Sequence, residues 1–423
     1  MTTLNELSLK VASDMIARDE ISPNELLADC FARIHLRHRE VLAFTHFDED
    51  RSIYQLSQLR ATQSAGPLVG IPVGIKDIMD TSEFPTTKGS SIYTDEYPQR
   101  DAACVTMCKN AGCIIPGKTE TTEFAYFSPG RTRNPHNLSH TPGGSSMGSA
   151  AAVADFMLPL ALGSQTAASV IRPAAYCGVV GYKASHGLFS LEGVCGLAQS
   201  LDSLGFFVRE VEDLQVLRKV FLGVADQDRD SFTNLRVGLV RTPHWNEAEP
   251  YQREIVESTA KRLSHNGCDV EEVQVGPSDD ALTAAQITVM AYEVSRSLDS
   301  EYTMFYDLLS DQIKDLIESG RKTSFDEYIN ARSLARTWQQ KLATVHEQFD
   351  VLLTASAPGE APSGLDSTGD PIFSRMWTLL QVPSISLPAG FGPNKLPLGI
   401  QLIGAYNKDD VLIDNARKVA QVL

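Results

Sequence analysis

Three segments of the chain depart from what a plain hydrophobic core would contain. Lys76 ends the apolar run Gly74-Ile75, where partial desolvation lowers the pKa of a lysine toward that of a usable base. Segment 142–149 combines glycines, which allow close backbone approach, with three serines that offer hydroxyls and amides. Segment 163–173 should open a helix, whose exposed N–H groups could hold an oxyanion beside Ser169.

Each segment also has an alternative interpretation. Lys76 could pair with Asp77 at the end of its strand. Segment 142–149 could cap a helix or bind phosphate, although it lacks the lysine of a P-loop. The serine and threonine side chains of 163–173 could simply cap the helix that follows. Taken one at a time, the segments leave these alternatives open.

The elements that would position these segments alternate short apolar strands with helices. This alternation favours an α/β fold with a largely parallel or mixed sheet. Helices are predicted within the first 45 residues, the second capped at Ser22 with Glu25 completing a capping box. Further helices are predicted over 149–156 and from Lys408. The predicted strands are Leu68–Ile75, Ile114–Ile115, Leu158–Leu162, Val237–Val240, Val351–Thr354 and Ile400–Gly404.

Composition excludes several classes of protein. The 423 residues are 43% hydrophobic and 21% charged, which is typical of a globular chain and rules out general disorder. A net charge of −16 disfavours coating of nucleic acid or of an anionic membrane. The chain shows neither a signal-peptide pattern at its N-terminus nor an apolar run of 18 residues, so no membrane association is expected.

The seven cysteines predict free thiols. Their odd number and wide scatter argue against a disulfide framework, which favours a cytoplasmic location. Cys104, Cys108 and Cys113 lie close together, but no second Cys/His group accompanies them, so we interpret them as buried thiols and expect no metal site. The polar composition within 225–245 predicts a hinge.

Several motifs agree in order and spacing with one known family. They are Gly74-Ile75-Lys76-Asp77, Gly117-Lys118-Thr119, Asn134-Pro135-His136-Asn137, Gly143-Gly144-Ser145-Ser146, Ser169 through Arg172-Pro173, Cys177 to Lys183, Pro383 to Pro388 and Pro397 to Gln401. Together they resemble the amidase signature family, over at least 66–205 and again in the tail. Gln165, the run Val170-Ile171-Arg172-Pro173 and the short chain are most similar to its small bacterial malonamidase-like members.

The resemblance implies an α/β amidase-signature fold, in which a central mixed β-sheet is surrounded by α-helices. It implies one domain over 1–423, with a signature core at 66–205 and a helical region at 246–350 that caps the pocket. It implies no cofactor and no metal, a small-molecule amide as substrate, and neither nucleic acid nor membrane as a partner. A homodimer stays open.

The resemblance also assigns roles to the three segments. Ser169 would be the nucleophile, Ser145 in a cis peptide would relay a proton, and Lys76 in its neutral form would be the base, with Ser146 in support. This is sound chemistry, because a serine hydroxyl alone is a weak nucleophile and a desolvated amine can activate it.

The oxyanion hole would be formed by the amides of Thr166, Ala167, Ala168 and the nucleophile itself. The family usually has Gly-Gly where this chain has Ala167-Ala168, and alanines would be strained there if those positions needed positive φ. Gly144 and Gln165 are expected to bind substrate or to support the site.

Arg172 is the residue that bears on the substrate. In malonamidase-like members the equivalent arginine holds a substrate carboxylate, and a guanidinium fork suits a carboxylate bidentately. The alternative is a structural arginine that donates to loop carbonyls. His136 and His140 precede segment 142–149, here called the serine loop. A classical Ser-His-Asp hydrolase would need one of them as its base, but the Gly-x-Ser-x-Gly elbow of such enzymes is absent, so we interpret both as loop-packing residues.

The resulting hypothesis is an amidohydrolase acting on linear amides, which releases ammonia or an amine through a serine acyl-enzyme. The alternatives are a subunit of a tRNA-dependent amidotransferase, a carbamate or urea-derivative hydrolase on the same scaffold, and a non-catalytic binding relative. Retention of Lys76, Ser145 and Ser169 argues against the last of these.

Overall fold

One eleven-stranded sheet runs through the residues that the computed structural model describes, which are 3–61, 66–224, 235–277 and 279–423. Residues 225–234 of the predicted hinge therefore lie outside the described residues. The strands are β1 Phe44–Phe47, β2 Val73–Lys76, β3 Gly117–Thr119, β4 Leu160–Gln165, β5 Val180–Lys183, β6 Ser203–Val208, β7 Arg236–Leu239, β8 Asp269–Glu272, β9 Val351–Ala355, β10 Ser384–Phe391 and β11 Pro397–Ile403.

The sheet is mixed, as predicted. Its order is β1-β3-β2-β4-β6-β5-β10-β11-β9-β7-β8. Strand β2 runs parallel to β3 and β4, and β7 runs parallel to β8 and β9. The other neighbouring pairs are antiparallel. In the antiparallel centre, β5 pairs with β10, which lies about 200 residues further along the chain.

Helices cover the sheet. The described α-helices are α1 Leu9–Ala17, α2 Pro23–Val41, α3 Glu49–Ala61, α4 Ala103–Asn110, α5 Met147–Ala154, α6 Ile171–Cys177, α7 Leu214–Leu217, α8 Pro250–His265, α9 Ala281–Ser297, α10 Asp299–Met304, α11 Asp311–Lys322, α12 Phe325–Gln348, α13 Ile372–Leu379 and α14 Asp409–Ala420. The capping box of Ser22 and Glu25 at the start of α2 is confirmed. None of the helices in the described ranges is long and apolar enough to cross a membrane.

Two predicted strands are wrong in extent. Strand β2 begins at Val73, because Gly70 adopts positive φ and the preceding residues form a turn. Ile114 makes only an isolated bridge to Pro72, and the neighbouring strand is Gly117–Thr119. Apolar runs in this part of the chain indicate burial. They do not distinguish a strand from a turn, because both can be buried.

Helix α5 packs closely on β4, which places the serine loop against the sheet. A Cβ at Gly163 would lie 2.8 Å from Ser146 Oγ and 2.7 Å from the Phe207 ring, so only glycine fits there. The small residues of α5, predicted as a helix over 149–156, allow this approach, and the helix is found at Met147–Ala154.

The region 246–350 divides between two places. Helix α8 packs beside β8 and β9 near one end of the sheet. Helices α11 and α12 both pack on α9, and α9 also packs on α13. From α9, Gln286 donates to the carbonyl of Thr166, 3.0 Å away. Of this region, α9 is therefore the part that reaches the candidate site.

Candidate active site

The parallel pairing of β2 with β4 brings Lys76 close to segment 163–173, which contains Ser169. The register places Val73 opposite Leu160 and Gly74 opposite Ala161. Lys76 is the last residue of β2, and the segment around Ser169 follows β4. Because parallel strands end at the same edge of a sheet, both segments meet there, as ligand sites in α/β proteins usually do.

Lys76 is fully buried and bonded to two hydroxyls. Its Nζ lies 2.7 Å from Ser145 Oγ and 2.9 Å from Ser164 Oγ. Burial lowers the pKa of Lys76 to about 7, and the charge of Asp202 opposes this shift. Near pH 7 a large fraction of Lys76 is therefore neutral, and its lone pair can accept the proton of Ser145.

Asp77 does not pair with Lys76. Its carboxylate lies 3.1 Å from Lys118 Nζ, and both of these side chains are fully buried. Thr45 also donates to this carboxylate, at 3.1 Å. The alternative interpretation, in which Lys76 pairs with Asp77 at the end of the strand, is thus wrong. Asp77 instead connects β2 to Lys118 on β3 and to Thr45 on β1.

The serine loop, residues 142–149, is hydrogen-bonded to Ser164 at the end of β4 and to Ser169. The peptide bond between Gly144 and Ser145 is cis. Ser146 Oγ donates to the carbonyl of Ser164 at 3.2 Å and accepts from its amide at 3.3 Å. The amide of Ser146 donates to the carbonyl of Ser169 at 3.3 Å. Ser146 therefore supports the loop, and Ser145 lies between it and Lys76.

Ser169 stands next to a run of unbonded amides. The residue is 7% exposed, and its Oγ makes no hydrogen bond within the described ranges. The amides of residues 166–169 likewise donate to no described group, whereas those of Val170 and Ile171 donate to Gln165 Oε1. Free amides beside a hydroxyl are the arrangement that an oxyanion hole requires, and the roles of Thr166, Ala167 and Ala168 in such a hole stay predictions.

The two alanines of this loop are not strained. Neither Ala167 nor Ala168 has positive φ, so a Cβ carries no conformational penalty at these positions. Thr378 Oγ1 donates to the Ala167 carbonyl at 2.8 Å, and Gln165 Nε2 donates to Thr378 Oγ1 at 3.0 Å. The contacts of Gln165 are those of a residue that holds the loop.

Arg172 is buried, with 1% of its surface exposed, and its donors are occupied by loop atoms. Its Nη2 donates to the Gly144 carbonyl at 2.8 Å and to Thr368 Oγ1 at 2.9 Å. Its Nη1 donates to the Gly369 carbonyl. These contacts match the alternative interpretation, a structural arginine that donates to loop carbonyls. Binding of a substrate carboxylate by Arg172 stays a prediction.

Gly144 and the two histidines have packing contacts. A Cβ at Gly144 would lie 2.7 Å from Thr368 Cγ2, so this glycine allows the loop at 368 to close over the serine loop. His136 Nε2 lies 2.9 Å from the carbonyl of Cys177, and His140 Nδ1 lies 3.1 Å from Ser139 Oγ. The histidines pack the loop, as predicted.

Several site residues escape prediction from the sequence. Ser164 precedes Gln165 in a strand, and only the pairing of β2 with β4 shows that it meets Lys76. Asp202 is a carboxylate in an apolar stretch, which is a signal of a buried polar role. Its Oδ1 accepts from Thr166 Oγ1 at 2.5 Å, and burial raises its pKa to about 6.

Thr378, Gln286 and Arg375 come from α13 and α9, far along the chain from the signature core. Their sequence neighbourhoods carry no signal that points to the site.

The predicted buried thiols are confirmed, since Cys104, Cys108 and Cys113 are free and buried. Within the described ranges, no group of three or more His, Cys, Asp and Glu side chains could hold a metal ion.

Comparison with known proteins identifies the family. The sequence model of the Amidase family matches residues 25–413, so the chain belongs to the amidase family. The predicted resemblance is confirmed. A curated relative, a glutamyl-tRNA(Gln) amidotransferase subunit of Halothermothrix orenii, is 31% identical over 473 aligned positions, which cover 99% of this chain and 98% of the relative.

Solved structures agree with the fold. A structure described as "Crystal structure of amidase" superposes with a TM-score of 0.90 at 25% identity, covering 99% of this chain and 100% of that one. The native peptide amidase from Stenotrophomonas maltophilia gives a TM-score of 0.81 at 25% identity, covering 98% and 96% of the two chains. The predicted α/β amidase-signature fold is confirmed.

The name of the curated relative conflicts with one expectation. That relative is a subunit of an enzyme named for a tRNA, whereas the sequence predicts no nucleic acid among the partners of this chain. The acidic net charge argues only against direct coating of nucleic acid and leaves a role inside a larger complex open.

Proposed function

We propose that this chain hydrolyses the C–N bond of a linear amide through an acyl-enzyme on Ser169. One observation carries the proposal: Lys76 Nζ lies 2.7 Å from Ser145 Oγ, on the loop that is bonded to Ser169, beside the free amides of 166–169. A base, a relaying hydroxyl, a nucleophile and oxyanion donors are what acyl transfer to serine needs.

Acylation begins with attack of Ser169 Oγ on the carbonyl carbon of the substrate. The proton of Ser169 moves to Ser145, and the proton of Ser145 moves to the neutral amine of Lys76. The carbonyl oxygen becomes an oxyanion and accepts hydrogen bonds from the free amides. Each such donor typically lowers the barrier by about 3 kcal/mol.

Collapse of this intermediate breaks the C–N bond. The proton on Lys76 returns through Ser145 to the leaving nitrogen, which departs as ammonia or an amine. Water then attacks the ester carbonyl, with Ser145 and Lys76 again accepting the proton. Collapse of the second intermediate breaks the ester C–O bond, and the proton on Lys76 returns through Ser145 to Ser169 Oγ. The carboxylic acid that leaves gives its own proton to solvent or to the released amine, so the products are a carboxylate and free Ser169.

The first test is ammonia release by the wild type, Ser169→Ala and Ser57→Ala. Ser57 is an exposed serine on α3 and serves as the matched control. Substrates are a neutral aliphatic amide, a matching ω-carboxylated amide and an N-carbamoyl compound. We expect release by the wild type and Ser57→Ala and its loss in Ser169→Ala. Equal release by Ser169→Ala would contradict the proposal.

A second candidate is a subunit of a tRNA-dependent amidotransferase, in which Ser169 would release ammonia for transfer. The curated relatives favour it, because they match this chain at 28% to 31% identity over nearly its whole length. Gln165, Ala167 and Ala168 argue against it, since such subunits keep Asp-Thr-Gly-Gly-Ser where this chain has residues 165–169. The acyl-enzyme steps are common to both candidates.

Purification of the tagged chain from its natural host distinguishes the two candidates. Co-purifying subunits, together with amide transfer to glutamyl-tRNA(Gln) by the complex, would establish the amidotransferase subunit. Hydrolysis of a free amide by the chain alone, without such partners, would establish the stand-alone enzyme. All seven cysteines are free, which supports the expected cytoplasmic location of either one.

A further inference from the structure

Two buried arginines flank one aromatic ring near residues 166–170, the nucleophile loop, which joins β4 to α6. Arg172 on α6 is 1% exposed and Arg375 on α13 is 9% exposed. Their guanidinium carbons lie 5.5 Å and 5.8 Å from the centre of the Phe127 ring. Burial lowers the pKa of both guanidinium groups, yet arginine stays protonated near pH 7. Two positive charges therefore share one small buried region.

Neither arginine has a carboxylate partner within the part of the chain that the structure describes. No salt bridge joins a carboxylate to Arg172 or Arg375, although buried charges in proteins are normally paired. Asp370 is the carboxylate whose charge both arginines feel, but it is exposed and accepts from the amide of Ile372. The positive charge of this region is therefore not neutralised by a described carboxylate, which favours binding of an anion.

The two arginines differ in the donors that remain available. Arg172 uses both terminal nitrogens on Gly144, Thr368 and Gly369, and its Nε is enclosed. Arg375 donates only from Nη1, to Gln286. Its Nε and Nη2 have no described partner, and neither is among the fully enclosed polar atoms. Arg375 therefore offers the adjacent N–H pair that binds a carboxylate bidentately.

Arg375 is also placed against the reaction site. It lies one helical turn before Thr378, whose hydroxyl contacts the Ala167 carbonyl, and residues three apart share a helix face. Gln286, the acceptor for Arg375, donates to the Thr166 carbonyl at 3.0 Å. Two independent contacts thus connect the Arg375 face of α13 with the loop that leads to Ser169.

We propose that Arg375 binds a carboxylate group of the substrate, so that the enzyme takes an acid-amide with the carboxylate and the scissile amide at opposite ends. Arg172 holds the serine loop through Gly144 and adds positive charge. The inference rests on the proposed function, because it names the substrate class of the same site.

Kinetics with a matched pair of substrates test the inference. Succinamate and butanamide have the same carbon chain, and only succinamate carries a carboxylate. We expect Arg375→Gln to lower kcat/KM for succinamate by roughly 30- to 100-fold, the loss typical of a charged bidentate contact. The loss with butanamide should be at least about 10-fold smaller than the loss with succinamate. Arg375→Lys should give an intermediate loss with succinamate, and Arg336→Gln, a change at an exposed arginine on α12, should match the wild type with both substrates.

A binding measurement separates this inference from the hydrolase proposal. Calorimetry with malonate, succinate and glutarate on Ser169→Ala needs no turnover, and we expect at least one to bind and to lose its affinity when Arg375→Gln is added. If hydrolysis fails but this binding pattern holds, the proposed function fails and the carboxylate site stands. Equal losses with succinamate and butanamide, equal binding by both proteins, or no binding of any dicarboxylate would overturn the role of Arg375.

Discussion

Two lysines of this protein share an environment and differ in their neighbours. Lys76 ends β2 and Lys183 ends β5, both are fully buried, and burial lowers the pKa of each to about 7. Lys76 Nζ contacts two serine hydroxyls. Lys183 Nζ has no hydrogen-bond partner among the described residues, and Asp409, whose charge it feels, accepts from Tyr182 and Ser185.

The difference shows what a lowered pKa does and does not provide. Desolvation makes both amines available as neutral bases near pH 7. A base acts only when it is within hydrogen-bond reach of a proton that has to move. Lys76 has such a proton on Ser145, whereas Lys183 has no hydroxyl in reach within the described part of the chain. The contrast supports the proposed role of Lys76 as the base, and it predicts that the buried amine of Lys183 lowers the stability of the fold.

The largest expected effect comes from removing each amine in turn. Lys76→Ala should lower kcat for the best amide by at least about 10³-fold, because the nucleophile loses its base. Lys183→Met should change kcat less than about 5-fold. Steady-state ammonia release measures both, with thermal melts to confirm folding. A comparable loss in the two variants would break the distinction between the two lysines.

The pH dependence of the rate should belong to Lys76 alone. Only its neutral form accepts a proton, so kcat/KM should rise with pH and level off above about 7, the pKa of buried Lys76. Two pH units lower, the rate should be down by about 100-fold. The charge of Asp202, whose own pKa burial raises to about 6, is the largest influence opposing the shift of Lys76. Lys183→Met should retain this profile, and a profile displaced in that variant would count against the assignment.

Ser164→Ala sharpens the contrast, because it makes Lys76 more like Lys183. Loss of the 2.9 Å contact removes an acceptor that stabilises the ammonium form, so the apparent pKa of the rate should move below that of the wild type. Looser positioning of the amine should lower kcat by roughly 10-fold. The pH profile and kcat are the two readouts, and Ser57→Ala is the control. An unchanged profile would show that Ser164 does not set the pKa of Lys76.

The smallest effect is on stability, and it concerns Lys183. Its folded-state pKa of about 7 lies below the ordinary value of 10.5, so the penalty for burying its charge grows as pH falls from 10.5 to 7 and is complete below 7. Lys183→Met should raise the free energy of unfolding by about 1–4 kcal/mol at acidic pH, near 6. The gain should fade as pH approaches 10.5. Urea unfolding at both ends of this range checks the prediction, and a variant less stable than the wild type at the acidic end would contradict it.

Part of the site is predictable because its chemistry is local in the sequence. Lys76, the pair Ser145-Ser146 and Ser169 lie in apolar or glycine- and serine-rich segments whose composition departs from that of an ordinary core. The capping box at Ser22 and the helix of small residues after Ser146 are predictable for the same reason, since each depends on neighbours within a few positions.

Other features are not predictable, because they depend on pairing between distant strands and helices. The partner of Asp77 is Lys118, on the next strand of the sheet, and no spacing rule favours it over the adjacent Lys76. Whether Ala167 and Ala168 are strained depends on backbone angles, and neither residue has positive φ. Arg375 reaches the site through α13, which packs against α9 and the nucleophile loop.

Sequence alone fixes the residue types available for the reaction: a lysine at the end of an apolar strand, serines in a glycine-rich loop, and a serine just before a helix. These follow from local composition and backbone preference. The fold selects which hydroxyls the buried amine meets, which amides are left free, and which of two arginines keeps its donors open. Chain order cannot specify these features, because hydrogen bonds and desolvation depend on distances between groups that are remote in the sequence.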